Sequence, residues 1–123
     1  MHIIAIPRLE IGIDGTDLDR LAEFWSRALG YEIGDLDQSG RYLDLIPPDP
    51  DKPVLYFQLV PERKFAKNRV HVDLYVADAI ETIEKLRKLG ATTIGEPRTE
   101  IDGGWWQVMA DPEGNEFCVC RTE

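Results

Sequence analysis

Hydrophobic and polar residues follow two different periods in the first half of the chain. Residues 9–13 alternate between Leu or Ile and polar or small residues, which is the two-residue period of a half-buried strand. Residues 18–29 place their apolar side chains at a spacing of three and four, which predicts an amphipathic helix that begins after Thr16 or Asp17 and ends at Gly30. Three strand-like runs follow, separated by glycine and proline, at residues 31–33, 41–46 and 54–60.

The same order of patterns recurs in the second half. Residues 70–76 alternate like a strand, and the helical spacing resumes in residues 80–89, after Asp78 and Glu81 in a capping-box pattern and before Gly90. Strands are predicted near residues 92–94, 105–109 and 116–120, with a tight turn over residues 111–115.

This repeat predicts an α+β fold made of two βαβββ modules. The modules span residues 8–62 and 69–122, joined by a linker of residues 63–68, within a single domain of residues 1–123. A module of this size cannot bury its own sheet face, so we expect the two to pack together around a concave ligand cleft.

Composition narrows the choice of partners. Fourteen Lys and Arg against 23 Asp and Glu leave a net charge of −9, which disfavours nucleic acid and anionic membranes. Residues 2–6 are apolar but end at Pro7, too few for a signal peptide or a membrane span. Cys118 and Cys120 lie two apart on a predicted strand, a poor geometry for a disulfide. These features favour a cytoplasmic protein, and its edge strands favour a homodimer.

Several motifs resemble the vicinal-oxygen-chelate superfamily, which comprises glyoxalases, bleomycin resistance proteins and dioxygenases. They are residues 17–30, the run His71-Val72-Asp73-Leu74-Tyr75-Val76-Ala77-Asp78, and Asp111-Pro112-Glu113-Gly114-Asn115. Residues 60–62 and 67–71, with Lys64, are similar to its glyoxalase-like branch. The resemblance implies the fold of the superfamily, whereas the chemistry has to be argued from the site.

The resemblance also implies where a divalent metal would bind. Enzymes of the superfamily hold the ion with one residue from the first and one from the last strand of each module. Matching the sequence motifs pairs Glu10 with His71 and Gln58 with Cys118. Strand alternation puts these four residues on one face, and it puts a second group beneath the helices: Leu9, Ile11, Leu55, Phe57, Val70, Val72, Phe117 and Val119.

This set of ligands is weak for a metal enzyme. Gln58 is a neutral donor, and Cys118 stands where the superfamily has a carboxylate, so a thiolate here would favour zinc. Glu10 is the remaining candidate general base, beside His71. An iron dioxygenase needs two histidines and a carboxylate, but the chain offers only His71 and His2. For His71 we expect a hydrogen bond to Glu10, Asp73 or Tyr75 rather than metal ligation.

The remaining polar and aromatic residues favour small-molecule binding. The cleft face is expected to carry Gln58, Cys118, Tyr56, Tyr75, Asp73, Glu116 and either Trp105 or Trp106. Aromatic faces beside carboxylates suit a cationic or flat aromatic ligand. The basic residues Arg63, Lys64, Lys67 and Arg69 are interpreted as a solvated linker.

Two functional interpretations lead, and a third, a regulatory or partner domain that keeps the fold without a ligand, also fits the sequence. The first is a glyoxalase-like protein that binds a small molecule without a cofactor or catalytic metal. The second is a metal-dependent lyase or isomerase of the glyoxalase type, with Glu10 and His71 as catalytic residues and Glu10, Gln58, His71 and Cys118 around a divalent ion.

Overall fold

The computed structural model describes residues 8–99, 101 and 103–122, so His2 and the apolar residues 2–6 lie outside the described residues. The chain divides into two compact units, residues 1–62 and 63–123. Each unit contains a helix and a four-stranded sheet in the order strand, helix, three strands, which confirms the predicted pair of βαβββ modules. The elements are β1 (Glu10–Gly15), α1 (Leu18–Leu29), β2 (Glu32–Leu36), β3 (Tyr42–Ile46), β4 (Val54–Leu59), β5 (Val72–Val76), α2 (Ala79–Lys88), β6 (Thr92–Thr99), β7 (Trp105–Ala110) and β8 (Glu116–Arg121).

The first unit is a sheet of order β1-β4-β3-β2 with α1 packed on one face. Strand β1 runs parallel to β4, and the other neighbours are antiparallel. The core lies between helix and sheet, where large side chains are almost fully buried: Leu21, Phe24, Trp25, Leu45 and Phe57. Since apolar side chains fill that face, alternation along the strands places polar and aromatic residues on the face opposite α1.

The second unit repeats this arrangement with order β5-β8-β7-β6 and α2 on one face. Strand β5 runs parallel to β8. The buried side chains of this core come from α2, β7 and β8: Ile83, Leu86, Met109, Phe117 and Val119. We call the face of each sheet that lies opposite its helix the helix-free face.

Capping residues set both helix starts. The Asp17 side chain accepts a hydrogen bond from the Arg20 backbone N–H, and Asp78 accepts one from Glu81, so both helices begin after an aspartate. Helix α1 ends at Gly30, whose positive φ of 73° suits the left-handed conformation. No helix among the described residues is long and apolar enough to cross a membrane.

Two details differ from the sequence prediction. Leu9 and Val70, expected beneath the helices, are 70% and 86% exposed. Both lie before the first residue of their strands, outside the part of each sheet that packs against its helix. Strands β2 and β6 also continue past Gly34 and Gly95, because an irregularity in pairing lets each strand resume its ladder.

Candidate functional site

The helix-free face of the first sheet presents two tyrosines among polar residues. The pairing register aligns Gly12, Tyr56 and Asp44 across three strands, and it aligns Gln58 with Tyr42 in the next row. The rings of Tyr42 and Tyr56 are 6.5 Å apart with planes tilted by 50°. Such a pair offers an aromatic surface with a carboxylate and an amide beside it.

Gly12 makes the position of Tyr56 possible. A Cβ atom built on Gly12 would lie 2.4 Å from Cζ of the Tyr56 ring. The tyrosine therefore lies across the backbone of β1, in space that any other residue at position 12 would occupy.

Glu10, the predicted base, lies at the start of β1 and is half-buried. Its carboxylate forms an ion pair with Arg8. It pairs in register with Val54, which lies four residues before Gln58 along β4, so Glu10 and Gln58 share the helix-free face at opposite ends of that strand.

The helix-free face of the second sheet carries the thiols. The register aligns Asp73 with Cys118, and it aligns Tyr75 with Cys120 and Trp106. Trp106 is therefore the tryptophan on the predicted ligand face. Trp105 points to the other side, where the Arg121 guanidinium lies 5.8 Å from its ring centroid.

His71, Asp73 and Cys118 form a cluster in the second unit. Their potential ligand atoms all lie within 4.8 Å of one another. The Nδ1 atom of His71 is 2.9 Å from an Asp73 carboxylate oxygen, the hydrogen bond expected if His71 is not a metal ligand. Cys118 is only 8% exposed, whereas both other side chains are partly open to solvent. This cluster holds nitrogen, oxygen and sulfur donors together.

The environment of Cys118 suppresses its ionisation. Burial, together with the negative charge of Asp73, raises the pKa of the Cys118 thiol to about 11. The thiol is therefore protonated at neutral pH and is a poor nucleophile. A cysteine–histidine nucleophile does not fit this arrangement, because such an enzyme needs a lowered thiol pKa.

Glu116 is engaged within its own unit. Its carboxylate accepts hydrogen bonds from the Lys64 ammonium at 3.0 Å and from the Asn68 backbone N–H at 3.0 Å. The Lys64 side chain is only 18% exposed, so the expected solvated linker is wrong for this residue. Burial acts to raise the pKa of Glu116, but the Asn68 N–H and Lys64 hold it below its ordinary value. The negative charge that Glu116 adds to the helix-free face of the second sheet is therefore balanced by Lys64.

A shallow depression of the first unit lies on the other side of its sheet. It is formed by α1 with strands β2 and β3, and its lining includes Asp19, Glu23, Ile33 and Leu43. Leu43 belongs to the helix-side core, so this depression is separate from the helix-free face.

The pairing register changes which residue of the first module corresponds to Cys118 of the second. If Glu10 corresponds to His71, then Gly12 corresponds to Asp73, and the register matches Cys118 with Tyr56. The predicted match of Gln58 with Cys118 is therefore displaced by two residues.

Sequence reasoning also missed Tyr42 and Asp44, although their alternation with buried Leu43 and Leu45 was a usable signal.

Comparison with known proteins identifies the fold and the family. The sequence profile of the glyoxalase-like domain family matches residues 10–120. The chain belongs to the glyoxalase-like domain family. A comparison with curated protein sequences finds no significant match.

Solved structures support this assignment at the level of fold. A glyoxalase/bleomycin resistance protein/dioxygenase family enzyme from Burkholderia phytofirmans PsJN is 18% identical, with a TM-score of 0.70 over 93% of this chain and 97% of that one. The fosfomycin resistance protein FosX from Mesorhizobium loti is 14% identical, with a TM-score of 0.72 over 98% and 95%. A superfamily member from Sphaerobacter thermophilus DSM 20745 is 19% identical, with a TM-score of 0.68 over 94% and 98%. The chain therefore has the glyoxalase/bleomycin resistance/dioxygenase fold.

Proposed function

We propose that this protein binds a small cationic or flat aromatic molecule on the helix-free face of its first unit, without a catalytic metal. The observation that carries the proposal is the pair of tyrosine rings, 6.5 Å apart, with Asp44 in register beside Tyr56. Aromatic rings attract flat molecules and cations, and a nearby carboxylate adds to the attraction for a positive charge.

The charge distribution supports the same choice of ligand. Residues 1–62 contain 12 acidic and 5 basic residues, a net charge of −7, whereas residues 63–123 contain 11 and 9, a net charge of −2. The acidic excess thus belongs to the unit that carries the tyrosine pair. Such a field raises the local concentration of cations and repels anions.

Each side chain on this face has a role in binding. The rings of Tyr42 and Tyr56 contact the flat surface of the ligand, and Asp44 neutralises its positive charge. The amide of Gln58 donates and accepts hydrogen bonds, which selects ligands with polar edges. In the second unit, Tyr75, Trp106 and Asp73 offer a comparable aromatic and acidic surface.

Calorimetric titration with planar cations and neutral aromatics of the same shape tests the proposal. Replacing Tyr56 with Ala is expected to weaken both ligand classes about tenfold, because one stacking contact is worth about 1–3 kcal/mol. Asp44→Asn is expected to weaken only the cations. Asp51→Asn, at an exposed position of the 47–53 loop, removes the same charge elsewhere and serves as the control.

Titrations after treatment with a chelator decide whether a metal is needed. Unchanged affinity in metal-free protein supports the proposal. Binding that appears only with an added divalent ion, or that is strongest for anionic thiol conjugates, would contradict it.

A metal-dependent lyase or isomerase is the second candidate, and the cluster of His71, Asp73 and Cys118 is the observation that favours it. In that case Glu10 is both a metal ligand and the base, and His71, Gln58 and Cys118 complete the family-implied set. Glu10→Gln would then abolish turnover, whereas in a binding protein it only weakens attraction of cations.

The proposal also includes a cytoplasmic homodimer. Edge strands at both ends of each sheet can be covered by a second copy, and a protein with two free cysteines is suited to a reducing compartment. Light scattering coupled to gel filtration would give the mass directly. A monomer at all concentrations would contradict this part.

A further inference from the structure

We propose that the second unit by itself binds one Zn²⁺ ion through His71, Asp73 and Cys118. This ligand set differs from the family-implied one, because Asp73 takes the third position and no residue of the first unit is required. The proposal is independent of ligand binding on the tyrosine face.

Strand geometry brings the three donors together. Asp73 and Cys118 are partners in the parallel pairing of β5 with β8, so their side chains project side by side from one face. His71 lies two residues before Asp73 and forms a hydrogen bond to it at 2.9 Å. All three sets of donor atoms fall within 4.8 Å.

The donor atoms of the cluster, all within 4.8 Å of one another, lie near the spacing that a zinc site requires. Zinc binds nitrogen and oxygen at about 2.0–2.2 Å and sulfur at about 2.3 Å, so tetrahedral donors lie roughly 3.3–3.7 Å apart. The side chains of His71 and Asp73 are 44% and 38% exposed, which leaves them free to close around the ion. Cys118 is held by the sheet and provides the fixed point.

The donor types select the metal. A thiolate with an imidazole and a carboxylate suits zinc, whereas magnesium and manganese prefer oxygen donors alone. Three protein ligands leave a fourth position open, as in zinc sites that also bind water or an exogenous donor. Such a bound ion would add a site for anionic donor atoms to an otherwise acidic protein.

Cobalt substitution gives a direct readout of sulfur ligation. Full-length protein is stripped with a chelator and titrated with Co²⁺, and a thiolate-to-cobalt charge-transfer band in the near ultraviolet is expected at one equivalent. Zn²⁺ should displace the band, and competition with a chromophoric chelator gives the zinc affinity.

The variants test each ligand against a matched control. Cys118→Ser should remove the band, and Asp73→Asn and His71→Gln should each weaken Zn²⁺ binding at least ~100-fold, because loss of an outer partner alone costs 10–100-fold. Cys120→Ser is the control, since Cys120 lies two residues further on the same strand and face, outside the cluster. It should leave spectrum and affinity unchanged.

Other outcomes would overturn the proposal. A band that persists in Cys118→Ser or disappears in Cys120→Ser would show a different sulfur ligand. Weakening by Glu10→Gln equal to that of Asp73→Asn would restore the four-residue set, and the absence of any band in the wild type would show that the cluster does not bind metal. Circular dichroism confirms folding, and if Cys118→Ser does not fold, the exposed Asp73 and His71 variants decide.

Discussion

Replacing Lys64 and Glu116, singly and together, measures how strongly their ion pair holds the 63–70 segment to the start of β8. Their charged atoms are 3.0 Å apart, and the side chains are only 18% and 14% exposed. Lys85 and Glu81 on α2 form a pair of the same residue types at the same 3.0 Å, but with side chains 71% and 58% exposed. The two pairs therefore differ in burial and in sequence separation, which is 52 residues for the first and four for the second.

The expected coupling energies follow from that difference. At 3.0 Å the Coulomb attraction is about 1.4 kcal/mol in water and about 5.5 kcal/mol at an effective dielectric constant of 20, before the cost of desolvation is subtracted. We expect a net coupling of about 1–2 kcal/mol for Lys64 and Glu116. The exposed helical pair should give about 0.3–0.5 kcal/mol.

Two double-mutant cycles, with Lys→Met and Glu→Gln, provide the assay. Urea unfolding at pH 7 gives the free energy of each variant, and the coupling is the departure from additivity. The carboxylate of Glu116 has a pKa below its unfolded value, so its contribution is fully present above about pH 4.3 and is lost as the pH falls through the folded pKa. A coupling no larger than that of Lys85 and Glu81 would refute the reasoning.

Three further predictions concern single side chains. Gly12→Ala should weaken ligand binding as much as Tyr56→Ala in calorimetry, because the added methyl displaces the ring; unchanged affinity would contradict this. Gln107→Leu should lower the unfolding free energy by about 1–3 kcal/mol, because the two N–H groups of the buried amide are shared among three backbone carbonyls, whereas exposed Gln38→Leu should not. Alkylation of Cys118 should be slow at pH 7.5 and rise about tenfold per pH unit towards about pH 11, as followed by mass spectrometry; fast reaction at neutral pH would be inconsistent.

The order of elements was predictable because each has its own period. The helix of residues 18–29 was found with its observed bounds, since its apolar stripe, aspartate cap and terminal glycine agree. The sequence prediction made the second strand of each module shorter than it is in the structure. Its alternation is interrupted where the pairing register shifts, and a glycine at such an irregularity reads in sequence as the end of the strand.

Strand alternation predicted faces but could not predict register. A shift of two residues leaves every side chain on the same face, so matching Gln58 or Tyr56 with Cys118 satisfies the same pattern. Only the pairing of β1 with β4 and of β5 with β8 distinguishes them. The role of Glu116 was hidden for another reason, since its partner Lys64 is 52 residues away in sequence.

The register explains how the two modules came to offer different chemistry at equivalent positions. In the first, Gly12 leaves room for Tyr56 to lie across the sheet, which creates an aromatic surface. In the second, Asp73 stands at the glycine position and a short Cys118 at the tyrosine position, so the carboxylate fits beside the thiol. A tyrosine ring and an aspartate would compete for the same space, and each module therefore keeps one compatible pair. The pair of Gly12 and Tyr56 in the first module and the pair of Asp73 and Cys118 in the second thus fill equivalent positions of the same fold in two different ways.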